Sequence, residues 1–269
     1  MVTIAESDLT AFQGNPTEKW TTERVVSIHH WTSTLLSFRI TRVPNFRFTP
    51  GHYARLGLVI DNELVWRPYS LVSASDDDHL EFVSVLVPGG VFSTKLEKLC
   101  VGDEIKVDKS CYGFLTVDQL ATGKDLWLLA SGTGIGPFVS ILRSPALWQA
   151  FEHLIVVHSV RYSVELTYRD EIAAIPNEIA FAGARARLCY LPVITREPGA
   201  SELTEHIPLL LMDGRLEQAA AVSLSVATSR LMVCGNPQMT HELRQLLSSR
   251  GFVTSRRGIP GQMAFEKYW

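Results

Sequence analysis

The strongest constraint on the fold is a short apolar run at residues 125–130 that passes directly into a glycine-rich turn at residues 132–137. The run reads DLWLLA and shows no alternation of polar and apolar residues, which is typical of a strand covered on both faces. Strand-like and helix-like segments then alternate to the end of the chain, and this order predicts a parallel sheet in a doubly wound α/β fold. We expect strands at residues 125–130, 154–159, 187–194, 231–235 and 263–267, and helices at residues 138–142, 164–173, 203–212 and 237–250.

The first part of the chain follows a different pattern. Short β-rich segments separated by turn residues predict a closed antiparallel barrel or a sandwich. The expected strands lie at residues 24–30, 34–40, 53–60, 66–73, 80–87 and 104–107. A chain of 269 residues has room for two domains of ordinary size. We therefore predict a barrel domain at residues 1–118 and an α/β domain at residues 119–269.

Composition excludes several classes of function. The net charge of −3 does not favour nucleic-acid binding. No run of about eighteen apolar residues indicates a membrane span, and no basic segment followed by an apolar one indicates a secretory signal. The four cysteines contain no close pair with the spacing of a zinc or iron–sulfur site. We expect a cytoplasmic protein that binds no metal, nucleic acid or membrane.

The segment Arg67-Pro68-Tyr69-Ser70 carries groups that suit a flavin. Arg67 offers a forked cation for a phosphate, Tyr69 a flat ring for stacking, and Ser70 a small hydroxyl that can reach a ring nitrogen. On a regular strand Arg67 and Tyr69 share one face and Ser70 lies on the other, so a local turn or twist is needed to bring all three to one ligand. The alternative is an ordinary strand.

Two glycine-containing turns follow predicted strands of the α/β domain. The turn at residues 132–137 is neither a Walker loop nor a GxGxxG motif, but it lets the backbone approach a pyrophosphate or a flat ring closely. The second turn, at residues 233–239, places Cys234 near the same crevice, where its thiol can lie against a reacting ring without acting as a nucleophile. A third glycine turn, at residues 88–90, precedes a short predicted helix whose start can bind an anion.

Two arginines follow strand ends at equivalent positions of the predicted sheet. Arg161 comes after the second strand, and Arg196 after the third. Two guanidinium groups at this edge suit a 2′-phosphate, which favours NADP over NAD. The alternative is a pair of solvated surface side chains.

Taken in order, seven motifs resemble those of the ferredoxin/flavodoxin–NADP⁺ reductases, specifically the bacterial type that ends in Tyr-Trp. The motifs are RPYS (67–70), VPGGVFSTKL (87–96), SGTGIGPF (131–138), HSVRY (158–162), ITRE (194–197), VCGNPQM (233–239) and EKYW (266–269). The resemblance spans nearly the whole chain. It implies an FAD-binding barrel followed by an NADP-binding α/β domain.

The resemblance also implies site residues. For FAD these are Arg67, Pro68, Tyr69, Ser70, Ser84, Val85, Leu86, Val91, Phe92, Ser93, Thr133, Tyr268 and Trp269. For NADP they are Val160, Arg161, Thr195, Arg196, His206, Asn236, Pro237, Gln238 and Met239. Ser70, Cys234 and Tyr268 are the implied catalytic residues, with Tyr268 covering one flavin face as a gate and Trp269 near the adenine.

One position departs from the pattern, because His206 stands where related chains often have an arginine for the 2′-phosphate. Imidazole charge varies around neutral pH. We therefore expect a retained NADPH preference with some loss of affinity at alkaline pH.

The activity implied is hydride transfer between nicotinamide C4 and flavin N5, followed by single-electron exchange with a ferredoxin or flavodoxin. Arg256, Arg257 and Lys267 form a basic group that can face an acidic carrier. We expect a monomer. Two alternatives remain open: a reductase component of an oxygenase system, and a flavin or nucleotide sensor without enzymatic activity.

Overall fold

Two sheets organise the described part of the chain, residues 18–178 and 181–267 of the computed structural model. One sheet is antiparallel and built from the first half of the chain, and the other is parallel and built from the second half. The two-domain fold class predicted above is therefore confirmed. Tyr268 and Trp269, predicted to cover the flavin, lie outside the described residues.

The antiparallel sheet has six strands in the order β4-β3-β6-β1-β2-β5. The elements of this domain are β1 (Trp20–Thr32), β2 (Leu35–Thr41), β3 (Tyr53–Ile60), β4 (Glu63–Ser70), β5 (His79–Val85), α1 (Val91–Leu96) and β6 (Glu104–Tyr112). A hydrogen bond of 2.9 Å from Val72 N to Glu81 O joins the chain after β4 to β5, so the two ends of the sheet come together. The barrel interior contains large apolar side chains such as Phe38 and Phe82.

The parallel sheet has five strands in the order β11-β10-β7-β8-β9. Its elements are β7 (Asp125–Ser131), α2 (Gly136–Leu142), α3 (Pro145–Ala150), β8 (His153–Val160), α4 (Arg169–Ala174), β9 (Arg187–Ile194), α5 (Ile207–Met212), α6 (Arg215–Ala220), β10 (Ser229–Gly235), α7 (Pro237–Ser249) and β11 (Met263–Lys267). Along β7, Trp127 and Leu129 pack with α5 and α7, while Leu128 packs on the opposite face with α2 and α3. Both faces of β7 are covered, which explains its unbroken apolar run.

Two predicted helices are shorter in the structure. Residues 164–173 form a turn at Ser163–Glu165 and then α4, because Leu166 and Tyr168 are buried against other elements. Residues 203–212 form only α5, because Leu203 bridges to β9 and its carbonyl accepts a hydrogen bond from Ile194 N. Helices α3 and α6 were not predicted.

The predicted domain boundary at residues 118 and 119 falls in the connection between β6 and β7, and it stays a prediction. Within the described residues, no helix is both long and apolar enough to cross a membrane.

Candidate functional site

A cavity of about 520 Å³ lies where the barrel meets the carboxyl edge of the parallel sheet. Both domains contribute side chains to its wall. The described residues that line it are Tyr53, Arg67, Pro68, Tyr69, Ser70, Val83, Ser84, Val85, Val87, Gly90, Val91, Phe92, Ser93, Thr133, Glu266 and Lys267.

The 67–70 segment forms one wall of this cavity. All four residues of the segment line the cavity although they belong to strand β4, and after Ser70 the chain passes from its pairing with β3 to a hydrogen bond with β5. The Tyr69 ring packs against Phe92 with 5.7 Å between ring centroids, and its hydroxyl lies 3.3 Å from Ser84 Oγ. Burial raises the pKa of Tyr69, so its hydroxyl stays neutral at physiological pH.

Two other barrel segments complete this side. The start of α1 brings Val91, Phe92 and Ser93 to the cavity, and Ser84 and Val85 reach it from β5. Leu86 is not among the described lining residues, because its side chain is buried in the barrel core and its N–H donates to Thr34 O.

The glycine turn at residues 132–136 brings the α/β domain to the cavity through Thr133. A side chain at Gly134 would collide with the backbone carbonyl of Cys234, so glycine is needed for the two turns to touch. Cys234 itself is fully buried among the core residues and is absent from the described lining, and its predicted catalytic role stays untested.

His158 forms a hydrogen bond with the same glycine turn, and this contact was not predicted from the sequence. Its Nε2 donates to the Gly132 carbonyl at 3.0 Å, which leaves Nδ1 to accept from the Tyr190 hydroxyl at 3.1 Å. Complete burial lowers the pKa of His158 to about 4, so the ring is neutral and the support does not change around physiological pH.

Glu266 is one of the cavity residues that were not predicted from the sequence, as are Tyr53 and Val83. Ser70 Oγ donates to Glu266 Oε1 at 3.1 Å, which links β4 of the barrel to β11 of the α/β domain. Burial raises the pKa of Glu266 to about 7. The signal was present in the EKYW motif, where a carboxylate stands two positions before the tyrosine expected to cover the flavin.

The two predicted phosphate-binding arginines lie side by side at the carboxyl edge of the sheet. Arg196 N donates to Arg161 O at 2.9 Å, and Thr195 N donates to Val160 O at 3.0 Å. The Arg161 guanidinium also pairs with Glu165 at 2.7 Å, an interaction that a bound phosphate would have to displace or share. His206 is exposed directly before α5.

The second turn begins α7. The Asn236 side chain accepts hydrogen bonds from Gln238 N at 2.8 Å and Met239 N at 3.3 Å, which caps the helix. Asn236 and Gln238 are exposed, Pro237 is half-buried, and the Met239 side chain is buried in the core between α7 and the sheet. Only the first three present side-chain surface to a ligand.

The residues present fit FAD and NADP. The cavity volume lies in the range of cofactor pockets, about 300–1,000 Å³. Its wall combines a flat ring, a permanent cation and the start of a helix, which match the ring and phosphates of a flavin nucleotide. Thr133 of the glycine turn adds a hydroxyl to the wall from the α/β domain.

Comparison with known proteins agrees with this geometry. Residues 23–114 match the family described as oxidoreductase FAD-binding domain, and residues 128–245 match the oxidoreductase NAD-binding domain. Ferredoxin–NADP reductase of Pseudomonas aeruginosa is 38% identical over 250 residues, covering 91% of this chain and 96% of the relative. Flavodoxin/ferredoxin–NADP reductase of Escherichia coli is 38% identical over 251 residues, covering 93% and 99%.

The chain belongs to the bacterial ferredoxin/flavodoxin–NADP reductase family. A crystal structure of ferredoxin NADP⁺ reductase from Neisseria gonorrhoeae with bound FAD and NADP superposes with a TM-score of 0.86 at 36% identity, covering 94% of this chain and 100% of that one. The predicted family, the enzyme class and the cofactors FAD and NADP are therefore confirmed. The predicted roles of individual site residues stay predictions.

Proposed function

We propose that this reductase passes electrons between NADPH and a small one-electron carrier, a ferredoxin or a flavodoxin, through FAD held against the 67–70 segment. The observation that carries the proposal is the meeting of Ser70, Thr133 and Glu266 in one cavity, with one wall from the barrel and the other from the α/β domain. When bound, the flavin supplies the chemistry that converts a hydride into single electrons. The protein's own task is to orient the rings, exclude water and manage protons.

Proton handling falls to Glu266 and Ser70. A hydride transfers two electrons together with a proton, whereas the carrier exchanges electrons alone. A neighbouring group must therefore supply a proton when electrons arrive from the carrier and accept a proton when electrons leave for it. With a pKa of about 7, the Glu266 carboxyl can do both at neutral pH, and it accepts a hydrogen bond from Ser70 Oγ of the 67–70 segment.

The carrier binds at the exposed rim of the cavity in this proposal. Val87 and Val91 are exposed there, and Lys267 adds a cation at the rim. Arg256 and Arg257 are exposed in the turn that precedes β11. This mixture of apolar and basic groups suits a small acidic carrier.

The function is tested with the purified protein. A yellow spectrum that is bleached by NADPH under anaerobic conditions supports the proposal, and cytochrome c reduction with added ferredoxins and flavodoxins identifies the carrier. A colourless protein, or one that NADPH does not bleach, contradicts it and favours the sensor alternative. Bleaching with no electron transfer to any ferredoxin or flavodoxin favours the oxygenase-component alternative.

Replacing Arg67 by alanine is expected to weaken FAD binding by about ten- to a hundredfold, since a hydrogen bond to a charged group contributes about 1.5–3 kcal/mol. The measurement is titration of the deflavinated protein with FAD, followed by the quenching of flavin fluorescence. Arg55 is the matched control, because it lies on the neighbouring strand opposite Pro68 and outside the described cavity wall. Equal FAD affinity for wild type and Arg67→Ala would refute the role of Arg67.

Replacing His206 by alanine is expected to weaken NADP⁺ binding a few-fold, because the exposed imidazole before α5 can donate a hydrogen bond to the 2′-phosphate. Binding is followed by difference spectroscopy of the flavin. His241→Ala, an exposed histidine on α7, is the control. An NADP⁺ affinity unchanged in His206→Ala would show that His206 does not contact the phosphate.

A further inference from the structure

A buried carboxylate outside the described cavity lining connects the two domains. Glu81 lies in β5 and is 4% exposed. Its Oε2 is 3.3 Å from a guanidinium nitrogen of Arg39 and 3.3 Å from one of Arg143, and its Oε1 accepts a hydrogen bond from the Tyr168 hydroxyl at 3.1 Å. Arg39 belongs to the barrel, whereas Arg143 follows α2 and Tyr168 precedes α4. A carboxylate that both domains satisfy holds the domains together, since loss of either set of partners leaves a buried charge underpaired.

Tyr168 has an unusual backbone for so large a residue. Its φ of 60° lies in the left-handed region, which costs free energy for any residue with a Cβ atom. The ring is 1% exposed and packs against Trp31 of the barrel with 5.3 Å between ring centroids. The strained conformation persists because the other domain holds both the ring and the hydroxyl.

The same region is tied to the wall of the cavity. Arg143 also donates to Val72 O at 3.1 Å, and Ser140 Oγ donates to Ser73 O at 2.8 Å. Val72 and Ser73 lie two and three residues after the 67–70 segment, while Ser140 lies in α2, which continues the glycine turn that carries Thr133. These bonds therefore connect the two walls of the cavity through residues outside its described lining.

We propose that Arg143 and Tyr168, bound to Glu81, are positioning residues for hydride transfer. They set the separation between the two walls of the cavity, which are the 67–70 segment of the barrel and the glycine turn that carries Thr133. The inference rests on the proposed function. None of the three belongs to the described cavity lining, so they act through the placement of the 67–70 segment and the glycine turn. A displacement of about 1 Å between reacting groups can lower a rate by about a hundredfold, so modest loosening is measurable.

The two arginines provide a matched test, because both lie 3.3 Å from the same oxygen but only Arg143 crosses between domains. The holoenzyme variants Arg143→Gln, Tyr168→Phe and Arg39→Gln are compared with wild type. We measure FAD reduction by NADPH in single-turnover stopped flow, NADP⁺ affinity, FAD content and melting temperature. Tyr168→Phe removes only the hydroxyl and therefore provides a second test of the proposal if Arg143→Gln does not fold.

We expect Arg143→Gln and Tyr168→Phe to slow hydride transfer by about three- to thirtyfold, with NADP⁺ affinity and FAD content within twofold of wild type. Arg39→Gln should reduce FAD at a rate within twofold of wild type, even if its melting temperature falls. Hydrogen exchange at residues 71–74 and 136–143, measured without nucleotide, should accelerate in Arg143→Gln and not in Arg39→Gln.

Two results would overturn the positioning role. One is hydride transfer in Arg143→Gln and Tyr168→Phe at the wild-type rate. The other is an equal slowing in all three variants that parallels their loss of melting temperature, which would indicate a role in stability alone. A wild-type holoenzyme that NADPH does not bleach would instead contradict the proposed function, so the two failures are distinguishable.

Discussion

We expect Glu266→Gln to slow electron exchange with the carrier by about a hundredfold or more, because a positioned acid or base typically raises a rate by about 10²–10⁴-fold. The amide keeps a polar atom beside Ser70 but cannot release or accept a proton. Hydride transfer from NADPH needs no such proton and should change much less. Separate stopped-flow measurements of FAD reduction by NADPH and of electron transfer to the carrier distinguish the two steps.

The pKa of Glu266 also predicts the direction in which each electron-transfer rate changes with pH. The pKa of Glu266 is raised to about 7, so its base form grows as the pH rises through about 7 and its acid form declines. Electrons leaving for the carrier need the base, and that rate should rise with pH. Electrons arriving from the carrier need the acid, and that rate should fall. Glutamine should flatten both profiles.

Stability provides an independent check. A raised folded-state pKa means that stability is lost as the pH rises from the ordinary value of 4.5 through about 7, since the buried site disfavours the carboxylate. Glu266→Gln should therefore raise the melting temperature of the holoenzyme at about pH 8 and leave it nearly unchanged at about pH 4 and below. Glu171→Gln is the control, because that exposed carboxylate on α4 lies outside the described cavity wall. Carrier kinetics in Glu266→Gln with the wild-type rate and pH profile would exclude a proton role.

Removing both arginines at the edge of the sheet, in Arg161→Ala/Arg196→Ala, is expected to raise the KM for NADPH by about a hundredfold or more and to leave the KM for NADH nearly unchanged. Each hydrogen bond to a charged group contributes about 1.5–3 kcal/mol, and only NADPH carries the 2′-phosphate that would receive them. Steady-state kinetics with both nucleotides, using ferricyanide as acceptor, measures the ratio.

The single variants should differ. Arg161 already pairs with Glu165 at 2.7 Å, so part of its attraction for a phosphate is offset, and Arg161→Ala alone should cost less NADPH affinity than Arg196→Ala. Arg187→Ala is the matched control, because Arg187 is an exposed arginine at the opposite end of β9. An unchanged NADPH/NADH ratio in the double variant would mean that the 2′-phosphate binds elsewhere.

Much of the architecture could be predicted because its signals are local. Strands β9 and β11 have the predicted bounds, since each is an apolar segment delimited by turn residues. The 67–70 segment lies in the cavity wall as expected, and so does Thr133 of the glycine turn. Turn chemistry and periodicity act over a few residues, and a single sequence displays them directly.

Other features depended on partners far along the chain. The helix predicted at residues 164–173 is broken because the barrel holds Tyr168 in the left-handed region. The helix predicted at residues 203–212 is shortened because Leu203 pairs with β9. In both cases tertiary contacts override the local helix propensity.

The sequence by itself determined the two-domain plan and the family, because both rest on ordered motifs and short-range patterns. Only the tertiary structure decided that Ser70 and Glu266, 196 residues apart, share a hydrogen bond and that this carboxyl titrates near neutral pH. The reason is physical: a pKa depends on how much water the surroundings exclude, and that is defined only after β4 and β11 have met at the cavity.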